Sequence, residues 1–475
     1  MKTENNSMQI QHSHQNRSMK IIQLILAVLV VGSPMIGQQT FTLDEAVAYG
    51  LENQNAMKMS DLEISSADSD ISEVKAIGMP KVNGAIDYNY YFYVPKQPVE
   101  DFIGPAVYGI LAAEGLPTTT QGPPQTFELA FVQPQQLNAG VSASALVFDG
   151  SYLYALKASR IYKDLVRKQK DATVDQVKMN VTKAYLSILI AEENKKTLSD
   201  NIITIEKSLA EVSAMYEAGF MESLDVDRLQ LSYDNLTTQL ENVNGLINLS
   251  KNLLKFQMGY PIDDEIGLSE DINALIVKFD AENLDPNVDV DPEQRAEFQV
   301  MNTTQELNQI DLKRNKAGYL PNLAAFASFQ ETLQRSNLFD NDQTGWLPTG
   351  VVGFKVNVPI YDGGEKSAKI QKVKLNIEKV DLQKEEFTRG MMLQVRNAQV
   401  AMSIAKRNLE NRQKALDMTQ SIYDRTQIKF KEGVGSSVEV TQAENSLYQA
   451  QAQIISAMYD LLTAKVDLDI ALGKL

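Results

Sequence analysis

The amino-acid sequence predicts a mixed membrane α+β protein: a tandem-repeat protomer in which long coiled-coil helices accompany four transmembrane strands. Three observations predict it. The chain resembles itself at an offset of 214 residues, residues 151–218 contain neither Gly nor Pro, and four short segments alternate apolar with small or polar residues.

The repeat is clearest at two interruptions, "YEAGFMESLDV" (216–226) and "FKEGVGSSVEV" (430–440). Gly219 and Gly433 are 214 positions apart, as are Ser223 and Ser437, Asp225 and Glu439, Val226 and Val440, and Gly259 and Gly473. Upstream, "VFDGS" (147–151) matches "IYDGG" (360–364), and "KAIGMP" (75–80) matches "KAGYLP" (316–321). The organisation expected is an N-terminal extension and signal peptide (1–37), a first repeat (38–260), an acidic linker (261–293) and a second repeat (294–475). Each repeat reads as a helix (Leu43 to about Ile77; Gln294 to about Ala317), two strands joined by a loop, a long helix, a glycine tip and a return helix.

The long helix follows from an unbroken backbone ladder: no residue in 151–218 lacks an amide donor or adds the entropy cost of glycine. At 1.5 Å per residue it would run about 100 Å. Val174, Val177, Val181, Ala184, Ile188, Ala191, Leu198, Ile202, Ile205, Leu209, Val212 and Tyr216 recur in steps of three and four, a coiled-coil seam interrupted at Lys195. A second seam through Met179, Leu186, Leu189 and Ile203 implies two helical neighbours. In the second repeat Ile370, Val373, Ile377, Val380, Phe387 and Met391 carry a similar pattern, with Gly390 inside the helix.

The strands are read from period-two alternation. Val352, Phe354, Val356 and Val358 fall on one face and Gly353, Lys355 and Asn357 on the other, which makes the first set the expected lipid-facing side. Segments 86–93 and 139–148 alternate comparably, and 323–330 less cleanly, with Leu323, Ala325, Ala327 and Phe329. A soluble half-buried sheet produces the same pattern in any single segment. Four strands cannot close a barrel, and lipid does not tolerate an open sheet edge, so strands that cross a membrane must be pooled from several chains. The loop 94–138 holds seven of the fifteen prolines, as expected at a surface.

Composition excludes more than it assigns. The chain of 475 residues has no cysteine, so disulfides, thiolate metal sites and cysteine nucleophiles are absent, and a net charge of −16 argues against nucleic acid as partner. Its two histidines are His12 and His14, and no GxSxG, phosphate-binding glycine loop or H-E-x-x-H occurs, so no catalytic, cofactor or metal residue is assigned. Asp263, Asp264, Glu265, Asp289 and Asp291 lack EF-hand spacing and read as a solvated linker. The seventeen methionines read as packing rather than a copper route. From Met19, Lys20 and the apolar run 21–31 lead to Gly32, Ser33 and Pro34, the pattern of a signal peptide and hence of export.

At the tips, Gly219 and Gly433 are expected at positive φ. Ser223 and Ser437 are expected to cap the returning helices, with Ser436 and Glu439 as a capping box. Asp225 and Glu439 also lie in the first turn, where a carboxylate complements the helix dipole by about 0.3–1 kcal/mol.

These features together resemble the TolC-like outer-membrane efflux protein family, the outer membrane factors. The matching residues are "FTLDEAVAYGLENQNA" (41–56), the Pro80 and Pro321 junctions, the two Asp-Gly turns, both tips, and the closing "LLKFQMG" and "DLDIALG", spanning 39–475. The resemblance implies a homotrimer whose twelve strands close one barrel in the outer-membrane lipid of a Gram-negative cell, continued by a periplasmic α-helical barrel. It implies passive conduction as the exit duct of a tripartite efflux or type I secretion system. The partners would be a periplasmic adaptor (membrane fusion) protein and an inner-membrane pump of RND, ABC or MFS type. Adaptor docking maps onto Gly219, Phe220, Ser223, Gly433, Val434 and Gly435, and an acidic constriction onto Glu439, with Asp225 as a second candidate gate carboxylate. The next acidic position of the family is Gln442 here, and the lipidated cysteine of one family branch is absent. The alternatives left open are a periplasmic coiled-coil structural or adaptor protein outside the membrane and a diffusion porin, the latter disfavoured by the long helices.

Overall fold

The structure is a computed structural model describing residues 39–101, 103–117, 126–280, 291–340 and 345–474. The expected signal peptide, with His12, His14 and Met19, lies outside the described residues, as does Asp289. In chain order the elements are β1 (Gln39–Phe41), α1 (Leu43–Asn53), α2 (Asn55–Ile77), β2 (Lys81–Tyr90), β3 (Lys96–Glu100), α3 (Ile103–Ala113), β4 (Thr126–Ala130) and β5 (Gln135–Phe148). Then come α4 (Gly150–Glu217), α5 (Ser223–Met258), β6 (Ile266–Leu268), α6 (Ile272–Asp280) and α7 (Ala296–Ala317). The chain closes with β7 (Asn322–Arg335), β8 (Leu347–Asn357), α8 (Glu365–Lys431) and α9 (Ser437–Ala471). The long helices α4 and α8 have 68 and 67 residues, the near-equality expected of a duplicated unit.

Two compact units each draw on both repeats. One contains residues to Leu62, Lys168–Phe298 and everything from Glu386, and the other contains Glu63–Arg167 and Gln299–Glu385.

In the first unit the α4 seam is the core. Val177, Val181, Ala184, Ile188, Leu198, Ile205 and Val212 are buried, while the interrupting Lys195 is exposed. Leu229, Leu236, Val243 and Ile247 of α5 pack against the distal half of this seam. The second seam holds at Leu186 and Leu189, which are buried, but ends before Ile203, which is 66% exposed. The correction has a local cause: two turns of α4 face neighbours on both sides near α1, and farther along one flank has no cover within the protomer. Inside the apolar seam Asn201, 7% exposed, donates to Gln451 Oε1 at 2.7 Å. At the other end, buried Tyr185 donates its hydroxyl to the Phe41 carbonyl at 3.0 Å. Thr42 and Glu45 form a reciprocal capping box that starts α1.

The expected solvated linker is partly folded. β6 pairs in parallel with β1, Gln39 opposite Ile266, and Ile266, Ile272 and Leu275 are buried in the same core as Phe41 and Leu254. The apolar residues between the carboxylates drive this, since burial of each contributes about 1.5–3 kcal/mol.

The second unit holds an antiparallel four-stranded sheet in the order β2-β5-β7-β8. β5 and β7 pair along nearly their full length, with one irregularity between Leu146 and Phe148. β2 and β8 each have one paired side, so both sheet edges present unpaired backbone groups. Every residue of β2 is exposed, and on β8 Val352, Phe354 and Val356 are 83%, 72% and 61% exposed. Val358 falls one residue beyond β8, and the strand expected over 86–93 occupies Lys81–Tyr90 instead. In both cases the hydrogen-bonded ladder, which ends at Asn322 opposite Asn357 and at Tyr90 opposite Gln135, sets the boundary rather than side-chain alternation. The Pro-rich loop contains its own hairpin, β3 with β4, and the exposed helix α3. No described helix is long and apolar enough to cross a membrane.

Four helix ends, two of them at the tips, use one device. Gly219, Gly259, Gly433 and Gly473 have φ of 80°, 70°, 75° and 67°. At each, the glycine amide and the next amide reach back to helix carbonyls. Gly219 reaches Tyr216 and Phe220 reaches Met215, both at 2.9 Å, and Gly433 reaches Phe430 and Val434 reaches Lys429, both at 3.0 Å. Space around these glycines differs. A Cβ at Gly219 meets nothing within 4 Å, whereas one at Gly259 would lie 2.7 Å from the Asn53 carbonyl oxygen. Gly219→Ala is therefore expected to cost only the left-handed conformation, about 1–2 kcal/mol. Gly259→Ala adds a backbone clash and should cost roughly 3 kcal/mol or more. Thermal melting of the helical signal checks the ranking, and equal losses would contradict it.

Candidate functional site at the helical tips

The tips lie at Ala218–Glu222 and Glu432–Ser436, between α4 and α5 and between α8 and α9. They are built alike but capped differently. Ser436 is the N-cap of α9, and its hydroxyl accepts from the Glu439 amide at 3.3 Å. At the first tip the N-cap is Glu222, whose side chain makes no capping bond. Ser223 and Ser437 are thus the first helical residues and not the caps. The expectation slips by one position because helix entry is fixed by backbone dihedrals at Glu222 and Ser436, both extended.

Ser437 is engaged elsewhere. Its hydroxyl donates to the carboxylate of Asp225, and Arg228 Nη1 lies 3.4 Å from the same Oδ1 and 3.3 Å from Ser437 Oγ. Asp225 is thus not a side-chain cap. With its side chain only 15% exposed, it ties the first tip to the second. A further tie joins the ends of the long helices, Lys431 Nζ to Glu211 Oε2 at 3.2 Å. Glu439 is exposed, as is Gln442. Phe220 and Val434 project at 82% and 78% exposure, beside Gly219, Gly433 and Gly435.

Behind the Asp225–Ser437 bond lies a cavity of about 40 Å³ lined by Val212, Met215, Leu229, Phe430 and Val440 together with Glu444. Glu444 is 2% exposed. Its Oε1 accepts from the Tyr448 hydroxyl at 2.9 Å, and its Oε2 is buried with no partner among the described residues. Burial raises its ionisation to about 6 against the pull of the Tyr448 bond. Sequence reading overlooked Glu444 and Arg228. A signal for Glu444 existed: it stands one heptad before Gln451 and three before the buried Lys465, a polar column within the apolar periodicity of α9.

Residues 293–474 match the model of a family described as outer membrane efflux protein. The outer membrane protein TolC of Vibrio cholerae is 21% identical over 342 residues, covering 71% of this chain and 77% of the relative. The proteases secretion protein PrtF of Dickeya chrysanthemi is 21% identical over 293 residues, covering 60% of this chain and 62% of the relative. The solved structure of the outer membrane protein VceC of Vibrio cholerae superposes with a TM-score of 0.65 at 13% identity, covering 91% of this chain and 96% of that one. The shared fold, long helices with a small sheet, is that of outer-membrane channels.

The two-tip bond is testable as a pair. Asp225→Ala and Ser437→Ala are expected to be non-additive, with a coupling of roughly 1–2 kcal/mol in a double-mutant cycle read by denaturation. Ser223→Ala, which removes no cap, should be close to neutral, whereas Ser436→Ala should cost about 1 kcal/mol. Additive losses at 225 and 437 would show that the bond does not hold the tips.

Proposed function

We propose that this chain, a homologue of TolC and related outer-membrane efflux proteins, is the exit duct of a tripartite efflux or type I secretion system. Its place is the outer membrane of a Gram-negative cell, like that of its homologues and structural neighbours. Those relatives are channel proteins, and conduction here is passive, from an inner-membrane pump and a periplasmic adaptor to the exterior.

The observation that carries the reading is the sheet with two open edges. Within lipid, where no water reaches the backbone, a four-stranded antiparallel sheet with two open edges satisfies its backbone only by adding strands. Three copies close twelve strands, edge β8 of one against edge β2 of the next. On that barrel Val352, Phe354 and Val356 are the lipid-facing set of β8, with Val358 at its rim. Such small barrels with a ring of copies are the geometry in which a homotrimer, rather than a monomer, is the working state.

The tips take the two remaining roles. Phe220 and Val434, flanking Gly219, Ser223, Gly433 and Gly435, form the surface that an adaptor covers, since large exposed apolar side chains on a solvated tip mark a contact surface. Glu439 is the gate carboxylate: three exposed copies around an axis attract cations and repel anions. Asp225 works as a latch instead, because its carboxylate is occupied by Ser437 and Arg228. Opening the tips breaks that bond.

Two measurements test this reading. Phe354→Arg places a charge on the lipid side at about 2–4 kcal/mol per copy and should abolish outer-membrane assembly while leaving the chain soluble or degraded. Normal assembly of this variant in fractionated membranes would remove β8 from the lipid face. In planar bilayers, Glu439→Ala should weaken cation selectivity and Asp225→Ala should raise open time. A purified protein that is monomeric in detergent and conducts nothing would refute the duct itself.

A further inference from the structure

The buried carboxylate behind the tip latch belongs neither to the docking surface nor to the gate position described above, and its surroundings point to a role of its own. We infer that Glu444 is a proton-binding switch for the tip junction: neutral, it lets the four helices around it close, and ionised, it drives them to loosen and admit water. The inference rests on the duct reading only for its physiological use, since the junction lies within one chain.

The groups facing Glu444 come from all four helices. From α4, Glu211 lines the same cavity, and its carboxylate is paired with Lys431. From α5 come Asp225 and Arg228, which are bonded to each other. From α8 come Tyr423, whose hydroxyl is pushed up to about 12 by burial with the Glu444 charge adding to it, and Lys431. From α9 itself comes Tyr448, which donates to Oε1. Each cation is already committed to another carboxylate, and two further acids share the cavity. Ionised Glu444 is therefore a buried charge with one hydrogen bond and no uncommitted cation lining its cavity, a combination that costs several kcal/mol in general unless water enters.

The geometry supplies the way out. The cavity of about 40 Å³ has room for a few waters, but Oε2 is closed off from it, and Asp225 and Ser437 of the latch are among its lining residues. Hydrating Oε2 requires the side chains around that cavity to separate, which strains the Asp225–Ser437 bond at its edge. Because the folded junction binds the Glu444 proton more tightly than an exposed glutamate does, the closed junction is favoured at low pH. That advantage is lost as pH rises from the ordinary glutamate range, near 4.5, through about 6. A duct of this design tightens in an acidified compartment and relaxes near neutrality.

Amide exchange on the purified full-length protein, expressed as protection factors so that the chemical rate cancels, reads the junction directly. Peptides covering 205–235 and 425–450 are expected to lose up to roughly eightfold in protection between pH 5 and pH 7.5, with a midpoint just below 6. Peptides covering 177–190 serve as an internal reference and should not change. Glu444→Gln should hold the tips at their acid-level protection at every pH. Tyr448→Phe removes the hydrogen bond that favours the charged form and should move the midpoint upward, a second readout if the glutamine variant is poorly folded. Tips whose protection does not depend on pH, or a response that persists unchanged in Glu444→Gln, would overturn the inference. An intact exchange response in a preparation without bilayer conductance would overturn the duct reading alone.

Discussion

The constraint on which the rest of the molecule depends is closure of the backbone hydrogen-bond network. In the sheet it is met by β5 and β7 at the centre and left unmet within the described residues along β2 and β8, and this deficit is the one that the proposed trimer fills. In the helices the same constraint explains the glycines. A helix end leaves carbonyls without donors, and the paired amides of Gly219 and Phe220, or Gly433 and Val434, return to supply them. Only a residue at positive φ can aim its amide that way. The recurrence of glycine at these corners is therefore a requirement of backbone closure at each reversal.

What was legible in the sequence follows from the range over which each interaction acts. The helix Gly150–Glu217 was readable because its determinants are local: no Gly or Pro after the first residue, and a seam in steps of three and four. The tip glycines were readable because their conformation is a property of one residue. The strands were found by alternation but misplaced at their ends, since Tyr90 and Asn357 are terminal only because their partners Gln135 and Asn322 end there. Ser437 was misread for a similar reason: nothing near it in sequence announces Asp225, 212 positions away. The pairing of β1 with β6 involves three residues per strand, too few for periodicity to register, and is decided by the core into which Phe41 and Ile266 are packed.

The two hairpins share a backbone design and differ in their polar side chains. Their corners remain interchangeable in backbone terms, yet the side chains differ: Ser436 caps its helix and Glu222 does not, while Asp225 holds the opposite tip and Glu439 faces solvent. On matching frames, a few polar positions differ, so that one hairpin carries a carboxylate bonded to its neighbour and the other an exposed charge. The buried Glu444 extends the asymmetry, since the matching position one repeat earlier is Gln230, a neutral side chain bonded to Asp234 at 2.9 Å.

The amide pair Asn201–Gln451 bears on how the tips can move. Two apolar helices packed by steps of three and four can slide by a heptad and find equivalent contacts. A polar pair within that seam removes the degeneracy, because any slide strands two amides among aliphatic side chains. The first and second hairpins are pinned axially some turns behind their ends. Any rearrangement at the tips that keeps this pair bonded is then a matter of bending and swinging about it rather than of axial sliding, like the jaws of a pair of tweezers.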